Sequence, residues 1–197
     1  MNKKVILVGA SKSLLNSKLG KVIDTYDIVC RMNGGGRLNQ FNDKYKEIIG
    51  SKKDIWLCKH LACFSMFPNH GYSKLVGFAQ LPLKIIKVLP DITKNASAKG
   101  AKTLDKCIKV LKEFNNNVGR PSCGILSIFY LLDKYDKIHI CGMDGFKGGH
   151  WYSNKFIKNQ NESDKLAALG MCAHDAIKEQ EYINYLIQNG KIEKIDE

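Results

Sequence analysis

Apolar and polar positions along this chain fall into alternating strand-like and helix-like runs. Lys4 to Gly9 is almost wholly apolar and closes in Gly9-Ala10-Ser11-Lys12-Ser13. An unbroken apolar run bounded by a turn predicts a central strand of a parallel sheet, covered on both faces. A helix is predicted over Leu14 to Ile23, then a second strand over Asp27 to Asn33, followed by Gly34, Gly35 and Gly36. Asp54 to Lys59 and Lys84 to Leu89 predict a third and a fourth strand. Between them Phe64 to Gly77 mixes aromatic and turn residues and reads as loop or short helix. Leu104, Cys107, Ile108, Val110 and Leu111 recur at helical spacing up to Phe114, where Asn115, Asn116 and Asn117 break the pattern.

The stretch from Gly119 to Phe146 is the most structured in its pattern. Ser122-Cys123-Gly124 opens a helix whose apolar residues, from Ile125 to Leu132, lie nearly all round it, so the helix is predicted to be buried. Lys137 to Cys141 then forms a strand ending in Gly142. A fixed helix start offers free N–H groups and a positive dipole end to an anion. An ordinary core helix capped by Ser122 fits the same residues.

Lys147 to Asn154 follows, with His150, Trp151 and Tyr152 beside two glycines, and Lys155 to Asp164 reads as a mobile surface loop. The last helix runs from about His174 to Asn189. Ala176, Ile183, Leu186 and Ile187 share one face with Glu179, and a carboxylate on a buried face needs a partner. Asp175 is a candidate N-cap. Alternating strands and helices predict an α/β fold, a single domain over residues 1–197 with a mainly parallel sheet flanked by helices.

Composition narrows the function classes. The formal charge is +12, and only three of the 31 basic residues are arginines: Arg31, Arg37 and Arg120. A field of this sign attracts anionic partners, which include a nucleotide-charged substrate and the surface of an anionic membrane. Nucleic acid is disfavoured, because the lysines are scattered and no aromatic-interleaved basic motif occurs. Seven cysteines, an odd number mostly inside apolar segments, read as reduced core thiols. Cys58 and Cys63 flank His60, but no second paired cluster completes a zinc site, so no metal is expected. No apolar run reaches bilayer length and no cleavage pattern follows Met1, so the expected location is cytoplasmic. The first turn is not GxGxxG and holds no phosphate-loop lysine, which excludes the dinucleotide fingerprint and with it a dinucleotide oxidoreductase.

The turn from Gly9 to Ser13 lies where nucleotides commonly bind, Asn33 beside the glycine run is placed to hydrogen-bond a ligand but equally suits an ordinary turn, and Ser122 and Gly124 stand at the buried helix start. Together with His150-Trp151-Tyr152 and the His174…Glu179 pair, these segments resemble, in order, the four motifs of the sialyltransferases of glycosyltransferase family 29. VILVGASKSL with DIVCRMN resembles the large motif, and PSCG with its helix and strand resembles the small motif. His150 to Tyr152 resembles the third motif, and His174 with Glu179 the very small motif. The departures are Ala10 for asparagine, Cys123 for a hydroxyl residue, Trp151 for tyrosine, and Ser153 for an acidic residue. The cysteines that join the large and small motifs in animal members fall here at Val5 and Tyr135.

The resemblance implies a Rossmann-like fold of the GT-A type, without cofactor or essential metal, transferring sialic acid with inversion from the donor CMP-sialic acid to a glycan acceptor. His174 would be the general base, Glu179 would position the helix or the histidine, and His150 with Tyr152 would donate to the leaving phosphate. Gly9, Ala10, Ser11, Asn33, Ser122, Cys123 and Gly124 would hold the donor, with Asp144 a further pocket residue. Another CMP-activated acidic sugar as donor, or a non-catalytic basic protein that binds nucleotide or nucleic acid, are the alternatives.

Overall fold

The computed structural model describes residues 3–32, 44–58, 74–77, 106, 109–110, 121–145 and 176–195. Six strands form one sheet: β1 (Val5–Val8), β2 (Ile28–Met32), β3 (Ile55–Cys58), β4 (Lys74–Gly77), β5 (Ile138–Cys141) and β6 (Ile192–Lys194). Their order is β4-β3-β2-β1-β5-β6 and every pairing is parallel. The helices are α1 (Gly20–Asp24), α2 (Lys44–Ile49), α3 (Cys123–Leu132) and α4 (Ala176–Gln188), with a short 3₁₀ helix at Lys12–Asn16.

The apolar run of β1 is explained by its two covered faces. Val5 and Leu7 pack on one side with Cys30, Met32, Ile55 and Leu57, beneath α3 and the Tyr182, Ile183 and Leu186 face of α4. Ile6 and Val8 point to the other side, among Leu14, Leu19, Ile23 and Ile49. Strand side chains alternate between faces, so a strand covered twice must be apolar at every position. Helix α3 is buried from Cys123 through Leu131, as its unbroken apolar pattern predicts. Ser127 in its middle is satisfied by donating to the Cys123 carbonyl at 2.6 Å. Phe129 stacks on Tyr182 of α4 with ring centroids 5.4 Å apart, which joins the two helices over the sheet. Each fully buried aliphatic side chain of α3, such as Leu126, contributes about 1.5–3 kcal/mol.

Two sequence expectations change. The helix predicted over Leu14 to Ile23 is two pieces, the 3₁₀ helix and α1. Ser17 ends the first piece, its hydroxyl donating to the Leu14 carbonyl at 2.8 Å, and such local side-chain bonds compete with a continuing helix. Part of the segment expected as loop or short helix is the edge strand β4, whose pairing with β3 overrides a weak local signal. Helix α2 and strand β6 carry no strong pattern and were not anticipated. The strand expected at Lys84 to Leu89 lies outside the described residues, as does most of the Leu104 to Phe114 helix. Val5 lies in the apolar cluster beneath α3, and Tyr135, partly buried, packs against the same cluster. Cys30, Cys123 and Cys141 are buried and form no disulfide among the described residues.

Candidate functional site

Strand order reverses between β1 and β5, since the chain proceeds from β1 outward to β4 and returns on the other side with β5 and β6. In an open parallel sheet, ligands bind beyond the carboxyl ends of the strands at such a reversal. Residues 9–11 and 142–145 leave the sheet there, side by side. The Gly9 N–H donates to the Cys141 carbonyl at 2.8 Å and the Ser11 N–H to the Gly142 carbonyl at 3.0 Å. A Cβ on Gly9 would stand 2.0 Å from the Gly142 oxygen, so this position is glycine because two backbones touch. Ser11 is buried, caps the 3₁₀ helix by accepting from the Ser13 N–H at 3.3 Å, and donates its hydroxyl proton to the Asp144 carboxylate. Ala10 between them is buried too.

The second wall is the head of α3. Ser122 adopts extended backbone and accepts from the Ile125 N–H at 3.2 Å, a side-chain N-cap. Its own N–H donates to Oε1 of Glu179 at 2.6 Å. Glu179 lies in the first turn of α4 and is 7% exposed, so the carboxylate on the buried face finds its partner in the cap of another helix. A negative charge at a helix N-terminus is favourable through the dipole as well as the hydrogen bond. The Cys123 side chain is buried, its thiol directed to the Leu57 carbonyl at 3.6 Å. The missing hydroxyl at this position therefore corresponds to a side chain turned into the core.

Met143, which the sequence reading passed over, links the two walls. A Cβ on Gly9 would meet Met143 Cγ at 2.7 Å, and a Cβ on Gly124 would meet Met143 Cε at 2.9 Å. The turn after β1, the exit of β5 and the head of α3 thus converge on one side chain, with Met32 Cε 3.7 Å from the same Gly124 position. Its place between Gly142 and Asp144, at a strand end, was the available signal. Arg31 was also missed as a structural element. It is 1% exposed on β2, and donates from Nε to the Lys52 carbonyl at 2.9 Å and from Nη2 to the Ile49 carbonyl at 2.8 Å, closing the end of α2.

Of the predicted site residues, Gly9, Ala10, Ser11, Ser122, Cys123, Gly124, Asp144 and Glu179 stand at this corner of the sheet. Asn33, His150, Tyr152 and His174 lie outside the described residues. Behind the site, burial and then the Asp54 carboxylate push the Cys30 thiol well above its ordinary range. Among the described residues no cluster of three or more His, Cys, Asp or Glu is placed to hold a metal ion, and no helix is long and apolar enough to cross a membrane. Small side chains and a fixed helix head thus stand at a strand-order reversal, the place where open parallel sheets bind ligands.

Residues 2–96 match the model of glycosyltransferase family 29 (sialyltransferase). That match takes in the Gly9–Ser11 turn and ends before Ser122. Among solved structures, the chain is similar to a mammalian sialyltransferase with a TM-score of 0.61 and 21% identity, over 98% of this chain and 69% of that one. It is also similar to a mammalian sialyltransferase in complex with Gal-beta-1-3GalNAc-ortho-nitrophenol, with a TM-score of 0.64, 19% identity and the same coverage. No curated protein sequence matches the chain.

Proposed function

We propose that this chain, a sialyltransferase-like glycosyltransferase of family 29, moves sialic acid from CMP-sialic acid to a hydroxyl of a glycan acceptor on a Rossmann-like, GT-A-type scaffold. The observation that carries this reading is the convergence of Gly9, Gly124 and the exit of β5 on Met143, at the place where strand order reverses. Two motif segments more than a hundred residues apart in sequence thereby meet around one side chain. The donor's cytidine monophosphate would lie along Gly9 to Ser11 and Asn33, with its anionic groups toward Ser122 to Gly124.

In the reaction the acceptor oxygen attacks the anomeric carbon from the face opposite CMP. A carbon–oxygen bond forms, the bond to the CMP phosphate oxygen breaks, and the configuration inverts. The acceptor proton passes to His174, a group that titrates near neutrality. His150 and Tyr152 donate to the phosphate as its charge grows, and no metal is needed for that step. Glu179 acts one layer away, by holding the Ser122 N–H. Buried Cys30, Cys123 and Cys141, which form no disulfide among the described residues, suit a reducing compartment, and we place the protein in the cytoplasm on that ground.

The test is ligand-dependent stability followed by turnover. CMP should raise the melting temperature more than UMP or NAD does, because a ligand specific to the folded state stabilises it. His174→Ala should keep the CMP shift and lose transfer. Absence of a CMP shift in the unmodified protein rejects the donor, and transfer retained by the alanine variant rejects the base.

A further inference from the structure

We propose that the layer formed by the 3₁₀ helix, α1 and α2 is a docking surface for an anionic membrane, held there by exposed Lys18, Lys21 and Lys46 with Val22 among them. This layer covers Ile6 and Val8, on the side of the sheet opposite to α3 and α4. The inference is therefore independent of which donor the site takes. Ser11 caps the 3₁₀ helix, so the docked layer begins at the corner of the sheet that carries the motif residues.

The two helical layers differ in charge. Residues 12–24 and 44–49 carry five lysines against Asp24 and Glu47, whereas α3 and α4 carry Lys178 against Glu179 and Glu181. No acidic residue precedes Asp24 in the chain. Asp24 is itself turned inward, its carboxylate accepting the Ser51 N–H and hydroxyl at 2.9 Å and the Lys52 N–H at 2.8 Å. Glu47 is thus the one exposed carboxylate of the basic layer, beside three exposed lysines. A surface of this sign suits an anionic leaflet, and the α3–α4 layer does not.

The lysines stand on one locked surface. A Cβ on Gly20 would lie 2.3 Å from the carbonyl oxygens of both Lys46 and Glu47, and the Ser17 hydroxyl donates to the Ile48 carbonyl at 3.3 Å. Helices α1 and α2 are in backbone contact, and their charges are presented together. Val22, 44% exposed, follows Lys21 directly and Lys18 by four residues. A positive face attracts any polyanion, and the apolar side chain is what selects among them. Valine gains by entering the boundary between headgroups and acyl chains, where lysine stems also lie with their ammonium groups outward. Against the phosphates of a nucleic acid it gains nothing. Helix α4 exposes more apolar surface at Ile177 and Tyr185, but without the excess of positive charge that draws a protein to an anionic leaflet.

Cosedimentation of the full chain with vesicles of phosphatidylcholine alone, and of phosphatidylcholine with phosphatidylserine, tests this. Binding should require phosphatidylserine and weaken as salt is added. Each lysine near an anionic leaflet contributes roughly fivefold, so Lys18→Gln, Lys21→Gln and Lys46→Gln together should weaken binding by on the order of a hundredfold. The same charge removed elsewhere, by Lys134→Gln, Lys178→Gln and Lys191→Gln together, should weaken it far less. Val22→Ser should reduce vesicle binding severalfold and leave any binding of single-stranded RNA unchanged. All of these side chains are at least partly exposed, and thermal melts followed by circular dichroism check that each variant folds. Failure of the unmodified protein to bind phosphatidylserine vesicles overturns the inference. Equal losses from the two lysine triples overturn it as well, since net charge and not this face would then be responsible. Vesicle binding unaffected by Val22→Ser, together with tighter binding of RNA than of vesicles, overturns it in favour of a nucleic acid.

Discussion

Glu179 accepts the backbone N–H of Ser122 at 2.6 Å, so the head of one helix is fixed by a buried carboxylate of another that lies 57 residues further along the chain. A hydrogen bond between a charged acceptor and a buried N–H contributes about 1.5–3 kcal/mol, and losing the acceptor leaves the donor orphaned. Glu179→Ala should therefore lower unfolding stability by roughly 2–3 kcal/mol in urea titration and weaken CMP binding with it. Glu179→Gln keeps an acceptor oxygen in place and should recover most of both losses. Equal damage from the two substitutions would show that charge, and not the hydrogen bond, is what matters.

Two glycines of the cleft should respond differently to alanine. At Gly9 the new methyl would collide with a backbone oxygen at 2.0 Å, and backbone in a paired sheet cannot step aside. At Gly124 the nearest atom, 2.9 Å away, is the end of the flexible Met143 side chain. Gly9→Ala is expected to cost more than the 1–3 kcal/mol typical of overpacking, and Gly124→Ala about 1 kcal/mol or less, by comparison of denaturation midpoints. The reverse ranking would mean that the two backbones at the strand-order reversal are not in contact in solution.

Arg31 offers a third test. Its guanidinium donates to the Ile49 and Lys52 carbonyls from a fully buried position, a fork that lysine cannot reproduce. Arg31→Lys should destabilise the fold by about 2–3 kcal/mol, the cost of leaving buried acceptors poorly satisfied. A change of a few tenths would instead show that one ammonium reaches both carbonyls.

The Cys30 thiol gives the fold an alkaline limit. Its folded-state pKa lies above the ordinary 9.0, from burial first and from Asp54 second. The folded chain keeps a proton that the unfolded chain releases, so the contribution is fully present below about pH 9 and is lost as pH rises. Stability should fall there by up to about 1.4 kcal/mol per pH unit. Tyr26, Tyr130 and Tyr135, also raised chiefly by burial, add to the loss above pH 10. Urea midpoints between pH 8 and 10 should be flatter in Cys30→Val; an identical slope would assign the effect to other groups.

The sequence was most legible where one physical demand acts at short range. The buried strands Val5–Val8 and Ile138–Cys141 and the helix from Cys123 show their double-sided burial as unbroken apolar runs. Ser122 as a cap and Glu179 as a carboxylate in need of a partner were readable for the same reason, since each states a local requirement. What satisfies Glu179 was not readable, because a backbone N–H has no signature in sequence. Gly9 was read as a donor-holding position, and the immediate cause of a glycine there is the Gly142 oxygen, a contact made only when distant strands meet. The break at Ser17, edge strand β4 and the role of Met143 are likewise decided by tertiary neighbours. The Gly9–Ser11 and Ser122–Gly124 segments, singled out by the order of the motifs, do stand close together in the fold, both against Met143.

Strand β1 pairs directly with β5, Ile6 opposite His139, across more than 130 residues of intervening chain. Contacts of such long range form late and slow the folding of a domain. A nascent chain that has completed β1 to β4 has, at that stage, the turn at Gly9 without the strand exit and helix head that face it. The cleft is therefore among the last features to exist during synthesis. The corner is complete only after the chain has emerged through α4, which supplies the Glu179 clasp, so that copies truncated before α4 would lack the carboxylate that fixes the head of α3.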